Sequence, residues 1–113
     1  MSCVIFGAGK ISRGFIGHLL YISGIKFTFV EKFDSLVDLI NERKEYTVNI
    51  LGNSEKNCVV KNVKAFGFSD KDAISKAIAE ADAVFNAVGG KNLNEIVPFL
   101  TAGIEEKAKK ADI

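Results

Sequence analysis

Four residues near the amino terminus have the types and spacing that suit binding of a phosphate-bearing ligand. Gly7, Gly9 and Ser12 follow an apolar segment and precede a segment with helical periodicity. Glycine at the first position permits a tight turn, and glycine at the second lets the backbone approach a pyrophosphate. Glu31 stands about 20 residues further along, where a carboxylate can accept the hydroxyls of a ribose. This order of apolar segment, glycine turn, helix, apolar segment and acid predicts a dinucleotide site.

The predicted contacts with the cofactor extend over the whole glycine turn. A helix that begins near Ile11 would present unpaired N–H groups and its positive dipole end to the phosphates. Arg13 could pair with the pyrophosphate or with a substrate phosphate, the alternative being an ordinary surface arginine. Ser12 replaces the usual third glycine, and its hydroxyl could donate to a phosphate. The predicted cofactor-binding residues are Gly7, Ala8, Gly9, Lys10, Ile11, Ser12, Arg13, Gly14, Glu31, Val88 and Gly89.

The elements around these residues predict an α/β fold. Apolar strands are expected at Ser2–Phe6, Lys26–Glu31 and Ala83–Val88, with helices from near Ile11, near Asp34–Arg43, around Ile74–Ala81 and from about Leu93. Two β-prone segments, Tyr46–Leu51 and Lys56–Ala65, flank a turn at residues 52–55 and predict an inserted antiparallel ribbon. The expected architecture is a partial Rossmann-type doubly wound, mainly parallel sheet, with its first half and the start of its second.

Several local details follow from helical spacing and capping signals. Ile11, Phe15, Leu19 and Ile22 are expected to face the sheet. Asp34 or Ser35 is expected to cap the second helix, and Ser69 with Asp72 to form a capping box on the third. Pro98 is expected to kink or restart the last helix, and residues 105–110 to form a solvated or frayed tail.

Composition narrows the class of protein. The chain has 113 residues, 48% of them hydrophobic, and a net charge of +1, which gives no electrostatic case for nucleic acid or an anionic membrane. Two cysteines make no disulfide framework, and no metal-type cluster of cysteine and histidine is present in the sequence. His18, the single histidine, lies too far down the first helix to act as a catalytic acid or base. The sequence shows no leader pattern and no apolar run long enough to span a bilayer, so the chain is expected to be cytoplasmic, with no metal-binding residue.

A longer stretch of sequence resembles the amino-terminal signature of the long-chain polyol and mannitol dehydrogenase family. The run Gly-Ala-Gly-Lys-Ile-Ser-Arg-Gly-Phe-Ile-Gly-His-Leu-Leu begins at Gly7, and the likeness returns at Glu31, Ala87–Gly89 and Leu93–Pro98. The resemblance implies hydride transfer between NAD(H) and a polyol phosphate or keto-sugar phosphate, such as mannitol 1-phosphate and fructose 6-phosphate. It also implies a carboxyl-terminal helical domain that carries the proton-transferring lysine. Residues 1–113 are then a dinucleotide-binding domain that binds NAD but does not catalyse.

Three alternatives remain open from the sequence. Another member of the same family, a mannitol dehydrogenase or a hexuronate reductase, would act on an unphosphorylated sugar. A stand-alone nucleotide-sensing module would bind the cofactor without catalysis. An FAD site also pairs a glycine turn with a glutamate at a strand end. A methyltransferase is disfavoured because Val4, Ile5 and Phe6 precede the first glycine, where that class usually carries an acid.

Overall fold

A computed structural model describes residues 1–50, 52 and 54–110 of the chain. The first helix, α1, starts at Lys10, is π-helical over Ser12–Gly17 and continues as an α-helix over His18–Ile22. The strands are β1 (Ser2–Phe6), β2 (Lys26–Glu31), β3 (Glu45–Val48), β4 (Cys58–Lys61), β5 (Ala65–Gly67) and β6 (Ala83–Asn86). The other helices are α2 (Asp34–Arg43), α3 (Lys71–Glu80) and α4 (Leu93–Lys110), with short 3₁₀ turns at Ser54–Lys56 and Gly90–Asn92.

Four strands form a parallel sheet in the order β5-β2-β1-β6. If only the strands of this sheet are numbered, their order is 3-2-1-4, as in a doubly wound nucleotide-binding fold. The point at which the strand order reverses lies between β1 and β6. Strands β3 and β4 pair antiparallel outside this sheet, so the predicted ribbon insertion is confirmed. Part of its predicted turn, residues 51 and 53, lies outside the described residues.

Two apolar cores cover the two faces of the sheet, because alternate residues of a strand point to opposite sides. On β1, Cys3 and Ile5 pack into the core formed with α1, α2 and the ribbon. Val4 and Phe6 pack into the core formed with α3 and α4. Strand β1 is thus buried on both faces, which accounts for its continuous run of apolar residues.

The prediction that Ile11, Phe15, Leu19 and Ile22 face the sheet is wrong. These side chains are 73%, 66%, 51% and 62% exposed, respectively. The neighbouring row faces inward instead, with Ser12 and Leu20 buried and Ile16 packed against the core. The small side chain of Ser12 is the one that fits where the helix starts close to the sheet, so the glycine-turn geometry and not apolarity sets the helix face.

The third strand of the parallel sheet was not predicted. Ala65–Gly67 pairs with β2, whereas the sequence pattern placed Ala65 at the end of the ribbon. Three residues are too few to show an alternation of their own. Strand β6, the outermost strand on the other side of the sheet, was expected to be buried, but Val84 and Phe85 are 38% and 36% exposed. No second partner pairs with β6 within the described residues.

The predicted capping residues are also wrong, whereas the tail predicted as solvated or frayed is mostly exposed but helical. Helices α2 and α3 follow Phe33 and Asp70, and neither makes a side-chain capping hydrogen bond. Helix α4 continues on both sides of Pro98, so the helix does not restart there. The lysine-rich end is helical to Lys110, and the Lys107 ammonium donates to the main-chain carbonyl of Ala81 (2.6 Å) and reaches that of Ala79 (3.5 Å). These bonds fix the end of α4 against the end of α3.

Candidate nucleotide-binding site

Gly7 makes the turn at the carboxyl end of β1. Its φ of +92° belongs to the left-handed region, which side chains rarely adopt. A Cβ at this position would lie 3.2 Å from the carbonyl carbon of Ala87 and 3.3 Å from Cγ1 of Val88. The Gly7 N–H donates to Val30 (2.8 Å). Gly7 is therefore required by the fold, because it lets the turn pass between β2 and the segment after β6.

Gly9 is different, because nothing lies within 4 Å of where its Cβ would be. Its carbonyl accepts the first main-chain bond of α1, from the Arg13 N–H (3.0 Å). The N–H groups of the preceding turn therefore lie before the helical ladder begins. Gly9, Lys10 and Ile11 are all exposed. The open surface and the helix amino end together form a place where an anion can approach the backbone.

Glu31 closes the glycine turn onto the end of β2. It is only 7% exposed, and its two carboxylate oxygens accept from the N–H groups of Ala8 (2.8 Å) and Phe33 (2.9 Å). The side chain thus has a structural role that sequence reasoning did not foresee. Since a carboxylate offers about four lone-pair sites, each oxygen retains a site for a further donor such as a hydroxyl.

Ser12 carries an unusual buried hydroxyl. The residue is 1% exposed, and its Oγ has no hydrogen-bond partner among the described residues. Burying a hydroxyl without a partner is costly, which makes such a group a candidate to bond a ligand or an ordered water. Ser12 is the third position of the glycine motif, so this free donor lies in the first turn of α1.

Arg13 is folded back over the glycine turn. Its Nε lies 3.4 Å from the Gly9 carbonyl oxygen, which its own N–H also contacts. On its other side, the Arg13 carbonyl accepts a hydrogen bond from the Tyr46 hydroxyl (2.7 Å). Burial raises the pKa of Tyr46 to about 12, although the positive charge of Arg13 acts in the opposite direction. Tyr46 comes from the ribbon and was not a predicted site residue.

The segment after β6 lies beside the glycine turn, as the strand order requires. Asn86 accepts the Val88 N–H through its side-chain oxygen (3.0 Å), which shapes the loop. Val88 is half-buried against Gly7, while Gly89 is exposed with open space around its Cβ position. The structure therefore brings together the predicted residues of β1, β2 and β6 at one edge of the sheet.

At the carboxyl ends of the strands, an ion pair connects the segment after β2 with the start of α4. Lys32, directly after β2, contacts Glu95 at the start of α4 with 2.9 Å between Nζ and Oε1. Both side chains are partly exposed, so the pair adds little stability. The pattern of charges at residues 31, 32 and 95 is visible in the sequence, but their proximity depends on the fold.

Two cavities lie away from the glycine turn. A cavity of about 620 Å³ lies at the amino ends of β1 and β2, where Ser2 and Lys26 contribute to its wall. A second cavity, of about 540 Å³, lies between α2, the ribbon and Arg13. Neither is lined by Gly9 or Glu31. In such a sheet the ligand lies across the carboxyl ends of the strands, so strand order is the better guide here than cavity size.

Other chemistry is not supported by the described residues. No group of three or more His, Cys, Asp and Glu side chains is placed there to hold a metal ion. Burial, aided by the charge of Asp82, raises the pKa of the Cys3 thiol, which disfavours the reactive thiolate. No helix within the described ranges has the length and apolarity needed to cross a membrane.

The strand order, the glycine turn and the acid at the end of β2 define a nucleotide-binding domain of the Rossmann class. The sequence profile described as "Mannitol dehydrogenase Rossmann domain" matches residues 1–112. The chain belongs to this family, as the sequence resemblance predicted.

Curated relatives agree with this assignment, and a solved structure shares the fold. The chain is 47% identical over 113 residues to a mannitol-1-phosphate 5-dehydrogenase of Thermoanaerobacter pseudethanolicus, covering 100% of this chain and 29% of the relative. It is 40% identical over 112 residues to the Clostridium acetobutylicum enzyme of the same name, covering 99% and 29%. A crystal structure of a candidate 2-dehydropantoate 2-reductase from Enterococcus faecalis shares the fold, with a TM-score of 0.67, 20% identity and coverage of 95% and 31%. The chain thus spans less than a third of the length of these relatives.

Proposed function

We propose that residues 1–113 are the NAD-binding domain of a dehydrogenase that interconverts a polyol phosphate and a keto-sugar phosphate. The relatives named mannitol-1-phosphate 5-dehydrogenase favour mannitol 1-phosphate and fructose 6-phosphate as this pair. The observation that carries the proposal is the glycine turn, in which Gly9 is open to a ligand beside a helix amino end.

The residues of the site fit NAD in three respects. The free space at Gly9 and the N–H groups before Arg13 suit the pyrophosphate. The buried hydroxyl of Ser12 needs a partner, which a phosphate oxygen would supply. The carboxylate of Glu31 has lone pairs left for ribose hydroxyls. NAD would supply the hydride-transfer chemistry, whereas this chain would bind and orient the cofactor.

The charges at the end of β2 favour NAD over NADP. A 2′-phosphate would come close to the Glu31 carboxylate and be repelled by it. Lys32, which could have attracted that phosphate, is held by Glu95. Mannitol dehydrogenase and hexuronate reductase activities, and a non-catalytic sensor, are alternatives with no observation that favours them here.

The proposal is tested by titrating the chain with NADH and NADPH and measuring binding by fluorescence and calorimetry. We expect saturable binding of NADH that is tighter than that of NADPH. We also expect no turnover of mannitol 1-phosphate with NAD, because the resemblance puts the proton-transferring lysine in a carboxyl-terminal domain. Absence of NADH binding would contradict the assignment of the site. Turnover by the purified chain would show that the catalytic groups lie within these 113 residues.

A further inference from the structure

The ribbon, which lies outside the parallel sheet, reaches the first turns of α1 through one side chain. Tyr46 on β3 pairs with Val60 on β4, and Val60 is fully buried. The Tyr46 ring packs against the ring of Phe29 on β2, with 6.4 Å between the two ring centroids. This packing holds the phenol in one place, so that its hydroxyl points at α1.

The hydroxyl passes Gly17 to reach its partner. A Cβ at residue 17 would collide with the Tyr46 hydroxyl, so only glycine leaves this path open. The hydroxyl then donates to the main-chain carbonyl of Arg13 at 2.7 Å. The acceptor lies within the π-helical segment Ser12–Gly17. Segments of π-helix are rare and commonly occur at functional sites, and a side chain bonded to the helix backbone is one known cause of local distortion.

Arg13 passes this restraint on to the glycine turn. Its N–H and its Nε both contact the carbonyl of Gly9, at 3.0 and 3.4 Å. A continuous chain of contacts therefore runs from the ribbon through Tyr46 and Arg13 to Gly9. A tyrosine hydroxyl is protonated at neutral pH and can donate, and burial raises the pKa of Tyr46 further, to about 12.

We propose that Tyr46 is a positioning residue for pyrophosphate binding, fixing the first turns of α1 and the Arg13 side chain over the glycine turn. This inference rests on the proposed NAD site. It gives the ribbon a function in cofactor binding, although no residue of the ribbon needs to touch the cofactor.

The test compares Tyr46→Phe, which removes only the hydroxyl, with Tyr21→Phe on the far end of the same helix. Tyr21 is half-buried and borders the cavity at the opposite edge of the sheet. Dissociation constants for NADH and for adenosine are measured by amide chemical-shift titration. We expect Tyr46→Phe to weaken NADH about 3- to 10-fold, the range of one lost hydrogen bond. Adenosine, which lacks the pyrophosphate, should bind wild type and variant alike, and Tyr21→Phe should bind NADH like wild type.

Gly17→Ala provides a second variant, since its methyl group would displace the Tyr46 hydroxyl, but it would also lie 3.1 Å from the Ser12 carbonyl oxygen and 3.3 Å from the Phe27 ring, so its stability is measured by urea denaturation alongside. We expect the same selective loss of NADH affinity. Unchanged NADH binding by Tyr46→Phe, or an equal loss for adenosine or for Tyr21→Phe, would overturn the inference while the proposed function stands. Failure of the wild-type chain to bind NADH would instead overturn the proposed function, and this inference with it.

Discussion

Individual residues of the glycine motif have different tasks. Gly7 serves the fold, because its positive φ and its contact with Ala87 exclude a side chain. In the proposed site Gly9 would serve the ligand, because the space beside it is free. Glu31 joins Ala8 to Phe33, and in the proposed site its remaining lone pairs would serve the ribose as well. Substitutions at these positions should separate stability from binding.

Gly9→Ala and Gly7→Ala form a matched pair for this purpose. Gly9→Ala should fold like wild type but bind NADH at least 10-fold more weakly, because its methyl group occupies the space of the pyrophosphate. Gly7→Ala should lower the free energy of unfolding by about 1–3 kcal/mol, from its strained backbone and crowded Cβ. Urea denaturation and NADH titration of both variants measure the two effects. A Gly9→Ala chain with full NADH affinity would rule out close approach of the pyrophosphate at this residue.

Glu31→Gln should destabilise the protein even without a ligand. An amide has one oxygen, so one of the N–H groups of Ala8 and Phe33 would face another donor in a buried site. The expected loss in the free energy of unfolding is about 1–3 kcal/mol. Urea denaturation in the absence of nucleotide measures it. Unchanged stability would show that the carboxylate makes no essential bond to the glycine turn.

Tyr46 gives a pH-dependent prediction. Its pKa is raised to about 12 in the folded protein, compared with about 10 for an ordinary tyrosine. The unfolded chain therefore loses this proton first, so the stability contributed by protonated Tyr46 is complete below pH 10 and is lost between about pH 10 and 12. Relative to Tyr46→Phe, wild type should lose stability over this interval. Denaturation curves of both proteins at stepwise pH values measure the difference, and parallel curves would contradict it.

At the scale of elements, apolar patterns and turn residues predicted the bounds of several strands and helices. Tertiary packing determined the buried face of α1, strand β5 and the contact between the ribbon and α1. The bounds Ser2–Phe6, Lys26–Glu31 and Asp34–Arg43 agree with the structure because continuous apolar runs and helical spacing specify them well. The buried face of α1 was predicted wrongly, because a row beginning at Ser12 competes with the more apolar row beginning at Ile11. Strand β5 and the contact between Tyr46 and Arg13 depend on tertiary packing, which leaves no local signal in the sequence.

The end of α4 provides a prediction at this scale. The Lys107 ammonium bonds the carbonyl at the end of α3, where a positive charge also complements the helix dipole. Lys107→Met should lower the free energy of unfolding by about 1 kcal/mol. Lys109→Met is the matched control, since the Lys109 side chain is 77% exposed and its ammonium lies 4.0 Å from Glu106. Thermal or urea denaturation distinguishes the two, and equal stability of both variants would contradict a docked end of α4.

At the scale of the whole molecule, the proposed nucleotide site is formed by three segments that are distant in sequence. The glycine turn, the end of β2 and the loop before α4 lie at one edge of the sheet because β1 lies between β2 and β6. The sequence predicted this meeting from strand order alone, and all three segments lie at the predicted edge. The sequence did not show that an ion pair between Lys32 and Glu95 connects the end of β2 with the start of α4.

This ion pair leads to a prediction about cofactor choice. Glu95→Gln removes the partner of Lys32, and the freed ammonium can then approach the 2′-phosphate of NADPH. The preference for NADH over NADPH should narrow by about 3- to 5-fold, the scale of one exposed charge interaction. Glu106→Gln on the same helix is the control, because Glu106 also has a lysine partner but lies at the other end of α4. Since exposed pairs are screened by salt, the effect of Glu95→Gln should shrink as ionic strength rises. Unchanged NADPH affinity at low salt would show that Glu31 alone, without any restraint on Lys32, determines the choice of cofactor.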